Sequence, residues 1–69
     1  MLRERLNLVE HEISKIQELC ADLYERIAIK GNNSTAQRVL YQTATERLAE
    51  LTTERKQILD LLNEQDNSR

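Results

Sequence analysis

Residues 2–37 read LRERLNLVEHEISKIQELCADLYERIAIKGNNSTAQ. Within them Leu2, Leu6, Val9, Ile13, Ile16, Cys20, Leu23 and Ile27 follow one another at intervals of 4, 3, 4, 3, 4, 3 and 4 residues. That is an a/d heptad stripe sustained over almost four heptads, the pattern of a helix that packs along one face. Strand alternation fails under the same count. The spacing predicts a helix over about residues 2–30, roughly 42 Å long at ~1.5 Å per residue. The stripe stops at Lys30-Gly31-Asn32-Asn33-Ser34-Thr35. Gly31, the only glycine in the chain, stands where a helix end wants a left-handed residue. Ser34 is a good N-cap, and Gln37 three residues later completes a capping box. Stop, turn (31–34) and start are packed together, and a short link between two long helices makes them antiparallel neighbours.

The second half carries a weaker stripe. Tyr41, Ala44, Leu48, Leu51, Arg55, Ile58 and Leu62 keep the 3, 4, 3, 4, 3, 4 spacing, with Arg55 as its one interruption. A second helix over about 35–64 follows, with a polar tail at 65–69 that is expected to fray. Folding the chain at residue 32 sets Leu23 against Tyr41, Cys20 against Ala44, Ile16 against Leu48, and Ile13 against Leu51. It also sets Val9 against Arg55, Leu6 against Ile58, and Leu2 against Leu62. Apolar residues meet at nearly every level, which argues for one all-α, coiled-coil-like hairpin spanning 1–69.

Working outward, composition narrows the class. The 69 residues are 39% hydrophobic and 32% charged, with no Pro, Trp or Phe. Collagen, disulfide-stapled mini-domains and β-sandwiches are excluded, since they need Gly, Pro, Cys or aromatics. The net charge of −2 lowers the prior for a phosphate partner. The single cysteine cannot close an internal disulfide, which favours a reducing compartment. No apolar leader or membrane-length run is visible, so a cytoplasmic protein is expected.

A two-helix seam alone stabilises so short a chain poorly. Leu8, Leu19, Tyr24, Ile29, Leu40, Leu59 and Leu61 all fall outside that seam, and seven such residues suggest a second buried face. The economical expectation is a homodimer forming a four-helix bundle, with a different protein covering that face as the alternative. Its core would be built on Leu6, Val9, Ile13, Ile16, Cys20, Leu23, Ile27, Leu48, Leu51, Ile58 and Leu62. In plan this is similar to Rop, the plasmid RNA-binding hairpin dimer. The likeness is one of architecture, with no shared motif, and no residue role is carried over from it. The stretch from Glu12 to Arg26 also looks like the opening helix of the small helical chorismate mutases. That fold needs a third helix, and Glu10 stands where those enzymes want an arginine.

Candidate chemistry is sparse. His11 falls on the solvent side, and its i±3 and i±4 neighbours Asn7, Leu8, Ser14 and Lys15 are poor metal ligands. Cys20 at an a position reads as a small core residue. The carboxylate rows Glu46, Glu50, Glu54 and Glu18, Asp22, Glu25 lack the Glu-x-x-His motif of a di-metal bundle, so they read as solvated faces. No cofactor or metal is expected. Arg26, Lys30 and Arg38 flank the turn, and no acid lies between Glu25 and Glu46. Tyr24 and Tyr41 lie near this basic pole. It either binds an anionic partner or lies against the acidic Asp60, Glu64, Asp66 end of a neighbouring rod. Arg55, with Glu10 and Glu12 at about its height and Glu12 the expected partner, is expected to set register and oligomer state. The sequence points to a non-enzymatic protein-interaction or adaptor module acting as a homodimer. The runner-up is a Rop-like dimer that binds structured RNA or DNA through the turn end.

Overall fold

A computed structural model describes residues 1–29, 31 and 34–67, the last by its backbone alone. The chain is an all-α hairpin. Helix α1 runs Leu2–Tyr24, a π-helical turn follows at Glu25–Ile29, and helix α2 runs Thr35–Asn67. The two halves lie antiparallel in a rod of 55 × 16 × 14 Å.

The heptad register shows directly in burial. All fifteen a and d positions of the two stripes are buried or half-buried. Val9, Leu23, Ala44, Leu51 and Ile58 are buried. Leu51 and Val9, only 1% and 2% exposed, form the centre with Ile58. Leu2, Leu6, Ile13, Ile16 and Leu62 pack around them. The remaining seam residues Cys20, Ile27, Tyr41, Leu48 and Arg55 stay half-buried. Two helices cannot enclose a stripe on all sides, so most of the seam keeps an edge in water.

The turn chemistry follows from its residues. Gly31 adopts φ 72°, the left-handed region that a side chain disfavours. The Gln37 N–H donates to Ser34 Oγ at 3.2 Å, and the Arg38 N–H donates to the Ser34 carbonyl at 3.1 Å. Ser34 therefore caps α2. The return half of the expected capping box is not made through Gln37 Oε1, which is buried and finds no hydrogen-bond donor among the described residues. Lys30, Asn32 and Asn33 lie outside the described residues.

Two boundaries differ from the sequence reading. The first helix does not run to residue 30 as one α-helix. The Glu25 N–H is shared between the Ala21 and Asp22 carbonyls, and the five residues Glu25–Ile29 wind more widely. Terminal turns have the fewest ladder bonds to lose, so a change of winding costs least there. At the other end α2 continues three residues past 64, to Asn67. Gln65, Asp66 and Asn67 include no glycine or proline to stop it. Ser68 and Arg69 lie outside the described residues.

Candidate interaction surface

The helices are tied by ion pairs that sort onto two flanks of the seam. On one flank Arg5 donates to Glu54 Oε2, through Nε at 2.8 Å and also through Nη2. One heptad further along the same flank, Arg47 Nη2 donates to Glu12 Oε2 at 3.2 Å. These residues occupy the g columns of both helices. One more heptad towards the turn, the same columns carry Leu19 and Leu40. One heptad towards the open end, α2 carries Leu61. Leu8, in the adjoining c column of α1, borders this flank.

The opposite flank carries the third pair. Arg55 Nε donates to Glu10 Oε2 at 3.1 Å, with both side chains half-exposed. Glu10, not the expected Glu12, is thus the partner of Arg55. The reason is geometric: an a-position side chain lies beside the e column, where Glu10 stands, whereas Glu12 belongs to the g column and is taken by Arg47. Fourteen residues along in the same register, Tyr24 and Tyr41 meet with ring centroids 6.3 Å apart at a tilt of 45°. Arg55 itself is half-buried, with its guanidinium reaching water along the flank.

The carboxylate rows are not uniform charged faces. Glu54 is drawn to Arg5, Glu50 lies 3.8 Å from Arg47, and Asp22 pairs with Arg26 at 3.1 Å. Glu46 accepts from the Gln42 side chain at 3.3 Å. Lys56 pairs with Asp60 at 3.6 Å. Of the cross-helix partners, Arg5 and Arg47 were not singled out from sequence, and Glu54 was read as part of a solvated row. Their signal was present, as opposite charges at heptad spacing in the flanking columns of both stripes.

At the turn pole, Arg38 is exposed and Tyr24 is 55% exposed, while Tyr41 is half-buried. Arg26 is engaged by Asp22, and Lys30 lies outside the described residues. His11 is exposed. Among the described residues no group of three or more His, Cys, Asp or Glu is placed to hold a metal ion. A groove at the open end, about 360 Å³ in volume, is lined by Met1, Leu2, Arg3, Leu62 and Gln65. It assembles one guanidinium and one amide with apolar side chains, and holds neither a nucleophile nor a base.

The apolar surplus is the dominant surface feature. Leu8, Leu19, Leu40 and Leu61 are between 46% and 60% exposed. Tyr24, Ile29, Leu59 and Val39 are exposed too, the last not anticipated from sequence. No described helix is long and apolar enough to cross a membrane, so these side chains do not form a membrane span. No protein-family model, curated protein or solved structure matches this chain.

Proposed function

We propose that this chain is a non-enzymatic helical interaction module, a hairpin that associates with a second copy of itself and offers the resulting bundle to a protein partner. The observation that carries this reading is the flank bearing Leu8, Leu19, Leu40 and Leu61. It leaves four large aliphatic side chains beside a seam that two helices cannot close. Burying one leucine is worth about 1.5–3 kcal/mol, and a chain of this size has little stability to spare. A reducing compartment such as the cytoplasm belongs to this reading, and the single, free Cys20 supports it. Sedimentation equilibrium at micromolar concentration tests the reading: it expects twice the chain mass of 8.1 kDa. A monomer whose thermal transition is independent of concentration overturns it.

A second reading has its own observation. Arg38 is exposed on the first turn of α2, three residues before Tyr41 of the Tyr24–Tyr41 pair, so that one end of the rod carries a cation and two rings of the kind that meet phosphate and bases. In that reading the hairpin dimer binds structured RNA or DNA in a Rop-like manner. Nucleic acid carried through purification at low salt, seen in the ratio of absorbance at 260 and 280 nm, selects it. A protein-like ratio rejects it.

A further inference from the structure

We infer that the second copy docks on the Leu8–Leu19–Leu40–Leu61 flank in antiparallel orientation, its turn beside the first copy's open end, with the two-fold axis passing near Leu8. This rests on the dimer reading above and names the face and direction of that dimer.

The flank is self-complementary. From the open end it reads Leu61, then the Arg5–Glu54 rung, then the Arg47–Glu12 rung, then Leu19 with Leu40. Each step is one heptad, or roughly 10 Å. The midpoint between the two charged rungs falls at Glu50–Leu51 on α2, beside Leu8 on α1. It is also the midpoint of α2, which runs Thr35–Asn67. A two-fold axis there overlaps the two rods along almost their whole length. A flank of 55 × 16 Å offers up to roughly 800 Å² per copy, the size of an ordinary stable interface.

A two-fold axis lying across the rods sets α1 on α1 and α2 on α2 of the second copy. Leu40 then meets the second copy's Leu61, and Arg47 meets its Glu54. Arg5 meets its Glu12, and Leu8 meets its own equivalent. The leucines at 8, 40 and 61 face leucines and each of these charges faces its opposite, while Leu19 lies level with the end of the second copy's α1 and has no direct counterpart. An isologous interface requires this correspondence of one patch with itself.

The parallel alternative is weaker at Leu8 and at the ends of the rods. An axis along the rods sets each α1 on the other copy's α2 at equal height. Leu19 then meets the second copy's Leu40 and Leu61 is the leucine left over, but Leu8 loses its own equivalent and faces Glu50. The turn poles, each bearing Arg26 and Arg38, come together, as do the open ends, where Glu4, Asp60, Glu64 and Asp66 outnumber Arg3, Arg5 and the Met1 amine. The antiparallel arrangement sets each basic pole beside an acidic end. Like charges brought together oppose one docking and opposite charges favour the other.

The test is a distance between spin labels. Arg38 is exposed on the opposite flank, near the turn. A chain carrying Arg38→Cys with Cys20→Ala is spin-labelled, its helicity and mass are checked, and the inter-label distance is measured by pulsed electron resonance. The antiparallel dimer sets the labels about 38 Å apart along the rods, from twice the rise between Arg38 and the axis. A distance under about 25 Å at dimer mass overturns the orientation while leaving the dimer standing. Monomer mass overturns both. Should the labelled chain fold poorly, Leu40→Cys and Leu61→Cys chains, each with Cys20→Ala, are mixed and oxidised. The antiparallel dimer gives Leu40→Cys to Leu61→Cys cross-links. Efficient cross-linking of mixed Leu19→Cys and Leu40→Cys chains, with none between positions 40 and 61, overturns it.

Discussion

Replacing Arg55 by leucine separates the contribution of a charge to stability from its contribution to specificity. Arg55 occupies an a position level with Val9, and its side chain is 43% exposed. A leucine there would bury somewhat over half of its surface, which gains about 1–1.5 kcal/mol on a scale of ~1.5–3 for full burial. The substitution removes the Arg55–Glu10 pair, whose half-exposed partners hold it to about 0.2–1 kcal/mol. Glu10 is itself 45% exposed and keeps its water, so no stranded charge is left behind. The balance favours the variant by about 0.5 kcal/mol. At ~4–8 °C per kcal/mol for a domain of this size, Arg55→Leu melts about 2–4 °C higher. The same change removes the residue that penalises packings in which this level of the seam is sealed, so larger or mixed oligomers should appear. Thermal melting followed by circular dichroism, with light scattering on the same samples, reads both effects. A lower melting temperature together with a single unchanged oligomer refutes the reasoning and makes Arg55 an ordinary supporting ion-pair residue.

Three further substitutions or probes test the fold beneath this. Leu51→Ala empties the most buried position of the seam and should cost about 2–5 kcal/mol, enough to leave the chain largely unfolded at micromolar concentration; a loss below about 1 kcal/mol in urea melts places the core elsewhere. Ser34→Ala removes the acceptor for the Gln37 N–H and should cost about 1 kcal/mol, whereas Ser34→Gly should cost only a few tenths. Equal losses for the two would show that the cap contributes nothing. Cys20, free and half-buried, should react with a thiol reagent more slowly in the folded protein than in denaturant, and equal rates contradict its a position.

The seam was legible in the sequence because a heptad stripe is a one-dimensional signal that burial must follow. The turn was legible because Gly31 and Ser34 each meet a backbone need that few residues can. The Arg55 partner was not. Folding at residue 32 assigns heights to within about a turn, and Glu10 and Glu12 both fall within that range. They differ only in which side of the seam they stand on, so the choice needs the column as well as the height. The π-helical turn left no trace because it spans less than one heptad, and periodicity cannot resolve a change so short. The exposed leucines were countable from the outset, but they sorted into one flank only once the Arg5–Glu54 and Arg47–Glu12 pairs had fixed which columns share a side.

The same two pairs answer a difficulty inherent in repeated apolar stripes. An a/d seam is nearly indifferent to sliding one helix past the other by a whole heptad, since leucine or isoleucine still meets its like. The charges are not indifferent. Sliding α2 one heptad one way sets Arg5 against Arg47, and sliding it the other way sets Glu12 against Glu54. Each slip exchanges two attractive contacts for a like-charge contact, and such facing pairs are destabilising by a few tenths of a kcal/mol or more. On the opposite flank the same slips bring Arg3 or Gln17 to the level of Arg55 in place of Glu10. The energy of each pair is small beside that of the seam. A one-heptad slip also gives up one heptad of the seam's overlap and strains the short turn, so the charges add to a preference that the seam and the turn already make. Alternation of sign along the flank therefore reinforces the register that the turn allows, and the leucines on the same flank take no part in those pairs.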